Sequence, residues 1–274
     1  MSETEAAENK PPISAYIRTL NEERMIAEVV RAALSLAREV IIVDSGSTDR
    51  TIELAEAAGA AVHKRDWHGN GGQKRIGEDL ATYDWVLDLD ADEVITPEFA
   101  EEVRKLFLKG DPERDVYNTP LVNVPAVGKP WHGYGQAVRH KLYNKQKIRI
   151  PDHEAWDQFK IPVGMRVGKL KKPILHYAFD GSELLIQKLN KNSSTRARVL
   201  KPKPLPWLAL RIIFGLPVYF GKRYFVNGLW RGGLYGFAFS LMSGFGRWLR
   251  DVKMYERIMK SKGKTLYTKA PTEE

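Results

Sequence analysis

Apolar positions in the first hundred residues form short runs separated by stretches of helical spacing. A β-type run covers 13–19, and a helix is predicted over about 21–37 with Asn21 as its N-cap. Val40-Ile41-Ile42-Val43 is a continuous β-branched run, the pattern of a parallel strand buried on both faces. A helix over about 50–58 ends at Gly59, and a third strand follows at 60–64. Glycines at 69–72 read as a loop before a helix reaching about Leu80; a fourth strand runs over 85–90, and Pro97 opens the next helix. Alternating strands and helices predict a parallel α/β sheet whose ligands gather at the carboxyl ends of the strands. After Gly110 the periodicity weakens. Strands are expected at 116–124, 141–150 and 174–179, with a Gly-, Pro-, Trp- and His-rich loop between the first two. A helix follows over about 182–200. Residues 1–11 and 261–274 are polar tails, the first expected to be disordered.

Apolar residues at 43% and charged residues at 28% are ordinary globular usage. The absence of cysteine excludes a disulfide framework, a thiolate metal site and a cysteine nucleophile. The net charge of +9 is regional: Leu184 to Arg250 contains no Asp or Glu and twelve Lys plus Arg, so the rest of the chain is slightly acidic. The same 67 residues hold 12 of the 28 aromatics. A uniformly basic nucleic-acid binder is disfavoured. The longest charge-free run, 232–246, spans 15 residues, short of the roughly 20 needed to cross a bilayer. No amino-terminal signal is visible, and a cytoplasmic protein is expected.

Three clusters carry candidate chemistry. Asp44-Ser45-Gly46-Ser47-Thr48-Asp49 follows a buried strand; its carboxylate suits a base or ribose, and its residue types equally suit a helix cap. Asp88-Leu89-Asp90-Ala91-Asp92-Glu93 places four carboxylates in six residues. Asp90 and Asp92 at a strand end can share one hard cation, and without compensation such a cluster is costly. Gly71-Gly72-Gln73-Lys74-Arg75 suits a phosphate or, as readily, a solvated helix start.

Together with Ile17-Arg18-Thr19-Leu20-Asn21-Glu22-Glu23, these motifs resemble the inverting family 2 glycosyltransferases over about 13–110. The resemblance implies an α/β GT-A fold, Rossmann-like with a mostly parallel mixed sheet. Arg139-His140-Lys141-Leu142-Tyr143, Asp152-His153-Glu154 and His176-Tyr177 are similar to the branch that adds β-1,4-glucose to the lipopolysaccharide inner core. The resemblance implies that Thr19, Glu22, Asp44 and Ser47 lie beside the nucleotide, and Lys74 or Arg75 at the diphosphate. Asp90 would sit near the ribose, with Asp90 and Asp92 forming an Asp-x-Asp motif for Mg or Mn. His176 is a candidate additional metal or diphosphate ligand, or a buried structural histidine. Leu20 stands where many members carry a base-stacking aromatic. No Gln-x-x-Arg-Trp motif is present, against a processive synthase.

An inverting transfer needs a base for the acceptor hydroxyl. Glu154 is the first candidate and Asp152 its competitor; a surface acidic turn is the alternative. The expected domains are a catalytic part over 12–200, with a nucleotide-sugar half to about 110 and an acceptor half beyond it, then helices over 201–260. Pro202, Pro204, Pro206 and Pro217 should break that region into at least two helices. Its aromatic and basic mixture suits amphipathic helices on anionic lipid, or alternatively a packed subdomain. The expectation is a UDP-sugar-dependent hexosyltransferase on the inner face of the bacterial inner membrane, acting on a lipid-linked saccharide and not on nucleic acid. Alternatives are transfer to a polyprenyl phosphate and a non-catalytic nucleotide-sugar-binding protein.

Overall fold

The computed structural model describes residues 10–178 and 180–263. Most of both expected tails, and the last residue of the strand expected at 174–179, lie outside them. The chain divides into two compact units, 1–125 with 129–178, and 126–128 with 179–274.

The first unit follows the predicted alternation: β1 (Ile13–Thr19), α1 (Ile26–Leu34), β2 (Glu39–Asp44), α2 (Thr51–Ala57), β3 (Ala61–Lys64), α3 (Gly69–Leu80), β4 (Trp85–Asp90), β5 (Glu93–Ile95) and α4 (Pro97–Leu106). Then come β6 (Val116–Asn123), β7 (Ala137–Asn144), β8 (Val167–Lys169) and β9 (Ile174–His176). They form one mixed sheet in the order β3-β2-β1-β4-β7-β6-β9-β5, with β8 beside β6. The four amino-terminal strands are mutually parallel, and β7 joins β4 antiparallel. Both faces are covered, which explains the unbroken apolar run in β2. Ile13, Ala15 and Ile17 of β1 pack with Val29, Val30 and Phe99 on one side; Tyr16, Ile41, Val43 and Val86 pack on the other. Each such buried aliphatic contributes roughly 1.5–3 kcal/mol. The register sets Arg18 opposite Asp90 and Thr19 opposite Asp44, bringing the carboxyl ends of β2, β1 and β4 to one rim.

Four local expectations change. The first helix starts at Ile26, and Asn21 is not its cap: it has φ +53°, and its Oδ1 accepts from the Thr48 amide at 2.8 Å. The glycines at 69–72 are the first turn of α3 rather than a loop. The strand expected over 141–150 is Ala137–Asn144, closed by a turn in which the Lys147 amide donates to Asn144. The final strand of the unit ends at His176.

The second unit contains α5 (Ser182–Val199), α6 (Leu205–Gly221), a π-helical turn (Lys222–Val226), a 3₁₀ turn (Leu229–Gly232) and α7 (Gly233–Ser261). Helix α5 therefore groups with the carboxyl-terminal helices, not with the acceptor half in which it was expected. Pro217 lies inside α6 without ending it, and the chain reverses further on, where Gly228 adopts φ +74°. Ala197, Leu208 and Met254 form a buried apolar cluster joining α5, α6 and α7. Asp251, fully buried, accepts from Arg211, Arg250 and the Tyr219 hydroxyl at 2.7–3.2 Å. No helix among the described residues is long and apolar enough to cross a membrane.

Candidate active site

The rim at the ends of β1 and β2 is laced by hydrogen bonds between its two loops. Asp44 is fully buried and accepts from the Gly46 and Ser47 amides at 2.9 Å and from the Ser47 hydroxyl at 2.5 Å. Ser47 Oγ also accepts from the Asn21 amide at 2.9 Å, and the Glu22 amide donates to Thr51 Oγ1 at 2.8 Å. Asp44 and Ser47 thus build the turn as well as facing the rim. Thr19, next to them, has a buried hydroxyl with no hydrogen-bond partner among the described residues. An unsatisfied buried hydroxyl at a strand end is costly and is relieved by a polar ligand. Leu20 is exposed beside it.

A dense ionic centre occupies the end of β4. Arg18 spreads its guanidinium over three partners: Nε donates to Asp90 Oδ1 at 2.9 Å, Nη1 to Asn70 Oδ1 at 3.0 Å and Nη2 to Asp157 Oδ2 at 2.9 Å. Lys74 is fully buried, 2.9 Å from Asp88 Oδ2, 3.4 Å from Asp90 and 3.7 Å from Asp157. Lys141 pairs with Glu93 at 2.6 Å and stands 4.0 Å from Asp90. Burial alone would raise the Asp90 carboxyl; Arg18, Lys74 and Lys141 instead hold it well below the usual carboxylate range. Asp157 is treated the same way: burial raises it, and Lys74 with Arg18 brings it down. For Glu93 burial prevails over Lys141, and its carboxyl is pushed up.

Asp92 and His176 meet at the edge of this centre, with His176 Nε2 3.5 Å from Asp92 Oδ1. The other ring nitrogen, Nδ1, faces Asn123 Oδ1 at 3.1 Å, which fixes the ring so that Nε2 points at the carboxylate. That is the arrangement by which an outer partner orients a ligating imidazole. Asp88, Asp90, Glu93 and Asp157 are each paired with Arg18, Lys74 or Lys141, and Asp92 with His176. The donor chemistry of Asp92 and His176 fits one divalent cation completed by ligand oxygens. No group of three His, Asp or Glu side chains that could hold a metal ion occurs among the described residues.

The remaining expected residues divide. Asp90 belongs to the centre but directs its oxygens at cations, so among the expected ligands only Asp92 and His176 form a pair. Lys74 is turned inward onto carboxylates, and Arg75 lies 4.0 Å from Glu78, so the basic pair does not offer two open side chains to a diphosphate. The start of α3 is not open either: the Asn70 amide donates to the Glu154 carbonyl at 2.8 Å and the Gly71 amide to that of His153 at 2.9 Å. A Cβ on Gly69 would sit 2.4 Å from Glu154 Cα, and one on Gly71 would sit 2.1 Å from the Pro151 carbonyl. The glycines make room for the 151–156 loop, and that loop takes the Asn70 and Gly71 amides at the helix start. Asp152 and Glu154, the candidate bases, are exposed on this loop. Arg18, Lys141 and Asp157 were not anticipated. Arg18 had a signal: it is a charged residue in an otherwise buried strand, at the same level as Asp90.

The Rossmann-like sheet thus gathers an acidic strand end and a laced β1–β2 rim at one edge. The model for glycosyl transferase family 2 matches residues 14–172, and the chain belongs to that family and is a glycosyltransferase. An uncharacterised glycosyltransferase of Rickettsia felis is 31% identical over 264 residues, covering 91% of this chain and 92% of its own. The lipopolysaccharide core biosynthesis glycosyltransferase LpsC of Rhizobium meliloti is 30% identical over 262 residues, covering 90% and 93%. Among solved structures, glucosyl-3-phosphoglycerate synthase of Mycobacterium tuberculosis, in complex with Mg2+ and UDP, is 28% identical, covers 43% of this chain and 47% of its own, and has a TM-score of 0.36.

Proposed function

We propose that the chain is a metal-dependent, inverting hexosyltransferase that moves glucose from a UDP-sugar to a lipid-linked saccharide of the lipopolysaccharide inner core. The observation that carries this reading is the Asp92–His176 pair beside the buried carboxylates at the end of β4. Thr19, Glu22, Asp44 and Ser47 would receive the nucleoside, with the orphan Thr19 hydroxyl as one donor. Asp90, held in place by Arg18 and Lys74, would meet the ribose. Asp92 and His176 would hold a divalent cation, Mg or Mn, which when bound would supply neutralisation of charge on the departing diphosphate. Glu154 or Asp152 takes the proton of the acceptor hydroxyl as its oxygen bonds to the anomeric carbon; the bond to UDP breaks on the opposite face, which inverts the configuration.

The acceptor class explains the second unit. On α6, Leu210, Ile213, Phe214 and Val218 are exposed at helical spacing, and on α7 so are Leu234, Phe237 and Leu241. Lys201, Lys222 and Arg231 are exposed in the same region, with the Arg231 guanidinium over the Trp230 ring at 5.4 Å. Apolar stripes bordered by cations fit the headgroup region of an anionic leaflet. The enzyme would then work peripherally on the inner face of the inner membrane.

The test is UDP release by the full chain with Mn2+, a panel of UDP-sugars and purified truncated core lipopolysaccharide. Release with UDP-glucose that depends on both metal and acceptor is expected. A product labile to mild acid would instead mark a polyprenyl-phosphate acceptor, and no release with any donor would leave only a binding protein.

A further inference from the structure

The arginines of the second unit differ in what they touch. Arg211 and Arg250 share Asp251, and the Arg257 guanidinium donates to the Ala197 and Arg198 carbonyls. Arg223 and Arg247 have neither an ion pair nor a hydrogen-bond acceptor among the described residues. Their contacts are aromatic: Arg223 stands over the Phe239 ring at 5.9 Å and Arg247 over the Tyr219 ring at 5.6 Å. Tyr219 and Arg223 are one turn apart, and α7 comes close between them, so that a Cβ on Gly244 would sit 3.1 Å from the Phe220 nitrogen. The two guanidiniums thus belong to one junction. Arg223 is half-buried, and that burial together with the Arg247 charge pushes its pKa below the ordinary arginine value. Asp251, one turn beyond Arg247, supplies no counter-ion, because its oxygens already accept from Arg211, Arg250 and the Tyr219 hydroxyl. A partly desolvated pair of like charges is costly, and an anion relieves it.

We propose that Arg223 and Arg247 form a phosphate site for an anionic membrane lipid, their stacked guanidiniums donating to the phosphate oxygens. Stacking on a ring restrains the planar fork and leaves its edge N–H groups available, which suits a phosphate. A soluble phosphate would need these cations alone, and the surroundings favour a lipid. Phe225 and Val226, which follow Arg223 on the π-helical turn, are 66% and 79% exposed. Phe237, whose ring meets that of Tyr224 at 5.7 Å, is exposed as well. A headgroup phosphate with acyl chains matches both the cations and this apolar border. The proposal rests on the peripheral-membrane reading and deepens it, replacing a diffuse attraction with a named headgroup contact.

Co-sedimentation of the full chain with vesicles of phosphatidylcholine and phosphatidylglycerol, at fixed ionic strength, tests it. A basic residue near an anionic surface is worth about fivefold in partitioning, so removing any two costs about 30-fold. Lys222→Gln with Arg231→Gln, both exposed in the same region, sets that baseline. Arg223→Gln with Arg247→Gln should lose at least about tenfold more than the baseline pair. Arg223→Lys with Arg247→Lys keeps the charge but not the planar fork, and should still bind severalfold more weakly than wild type. A glutamine pair no weaker than the baseline, or a lysine pair equal to wild type, would overturn the site and leave the diffuse membrane reading standing. Absence of wild-type binding to these vesicles would overturn both. Inorganic phosphate without lipid should leave Tm unchanged; a rise that the glutamine pair abolishes would mark a soluble-phosphate site and overturn the lipid assignment.

Discussion

Each unit of this molecule buries an aspartate among cations, and the two sites end differently. Asp251 has no exposed surface, and Arg211, Arg250 and Tyr219 all donate to it. At the end of β4, Asp90 also has close cations but keeps a quarter of its side chain exposed. Burying an ion pair rarely adds stability, so the first arrangement is a way of fixing how α6 and α7 meet. The second keeps a carboxylate within reach of solvent and of a ligand. Burial and proximity of charges do not distinguish a structural knot from a candidate site; access to solvent does.

Several measurements can break or sharpen that contrast. The largest effect belongs to Asp92: Asp92→Ala, or chelation of the wild type, should lower UDP release by at least about 10²-fold, with added Mn2+ restoring only the chelated wild type. Asp251→Ala should do the opposite, costing about 3–5 kcal/mol in urea unfolding because it strands buried arginines, while kcat of the folded fraction stays near wild type. If Asp251→Ala abolished turnover in a fully folded protein, the contrast would fail. Asn123→Ala, which releases the His176 ring, should raise the metal concentration needed for half-maximal activity by about 10-fold or more, and excess metal should rescue it. Phe214→Glu with Phe237→Glu should leave UDP-glucose binding intact and reduce flotation with anionic vesicles severalfold. Unchanged flotation would refute the membrane face. The smallest effect tests a pair outside both centres. The Arg166 hydrogen bond holds the Asp115 carboxyl below its ordinary value. The stabilisation is therefore present above the unfolded-state pKa and is lost as pH falls through the lower folded one. Thermal scans of Asp115→Asn and wild type should differ slightly at neutral pH and converge below about pH 4.

Local patterning carried the nucleotide half of the fold, because its signals are contiguous. The β-branched run in β2, Gly59 after α2 with φ +98°, and Pro97 at the head of α4 each act within a few residues. The errors came where distant segments decide. Nothing near Gly69 shows that a loop eighty residues later will lie against it, so its glycines read as suiting a phosphate or a solvated helix start, and not as clearance for another chain segment. Asn21 has the composition of a cap, yet its side chain is claimed by the Thr48 amide across the rim. That Asp90, Asp92 and His176 come together was legible from residue type and position. How each is held was not, because it depends on Lys141 from β7 and on Asp157. These are charged residues whose burial only the assembled sheet reveals.

The attachment of the 151–156 loop has a bearing on how such enzymes diversify. It is fastened to α3 through main-chain carbonyls and amides, bonds that any residue can make, and the specific demand falls on the receiving glycines. Side chains of the loop take no part in these main-chain bonds, so its path is set by α3 and not by the residue type at Trp156. A substitution there can be accepted without undoing the loop's attachment, while a larger residue at Gly69 or Gly71 would dislodge the whole segment.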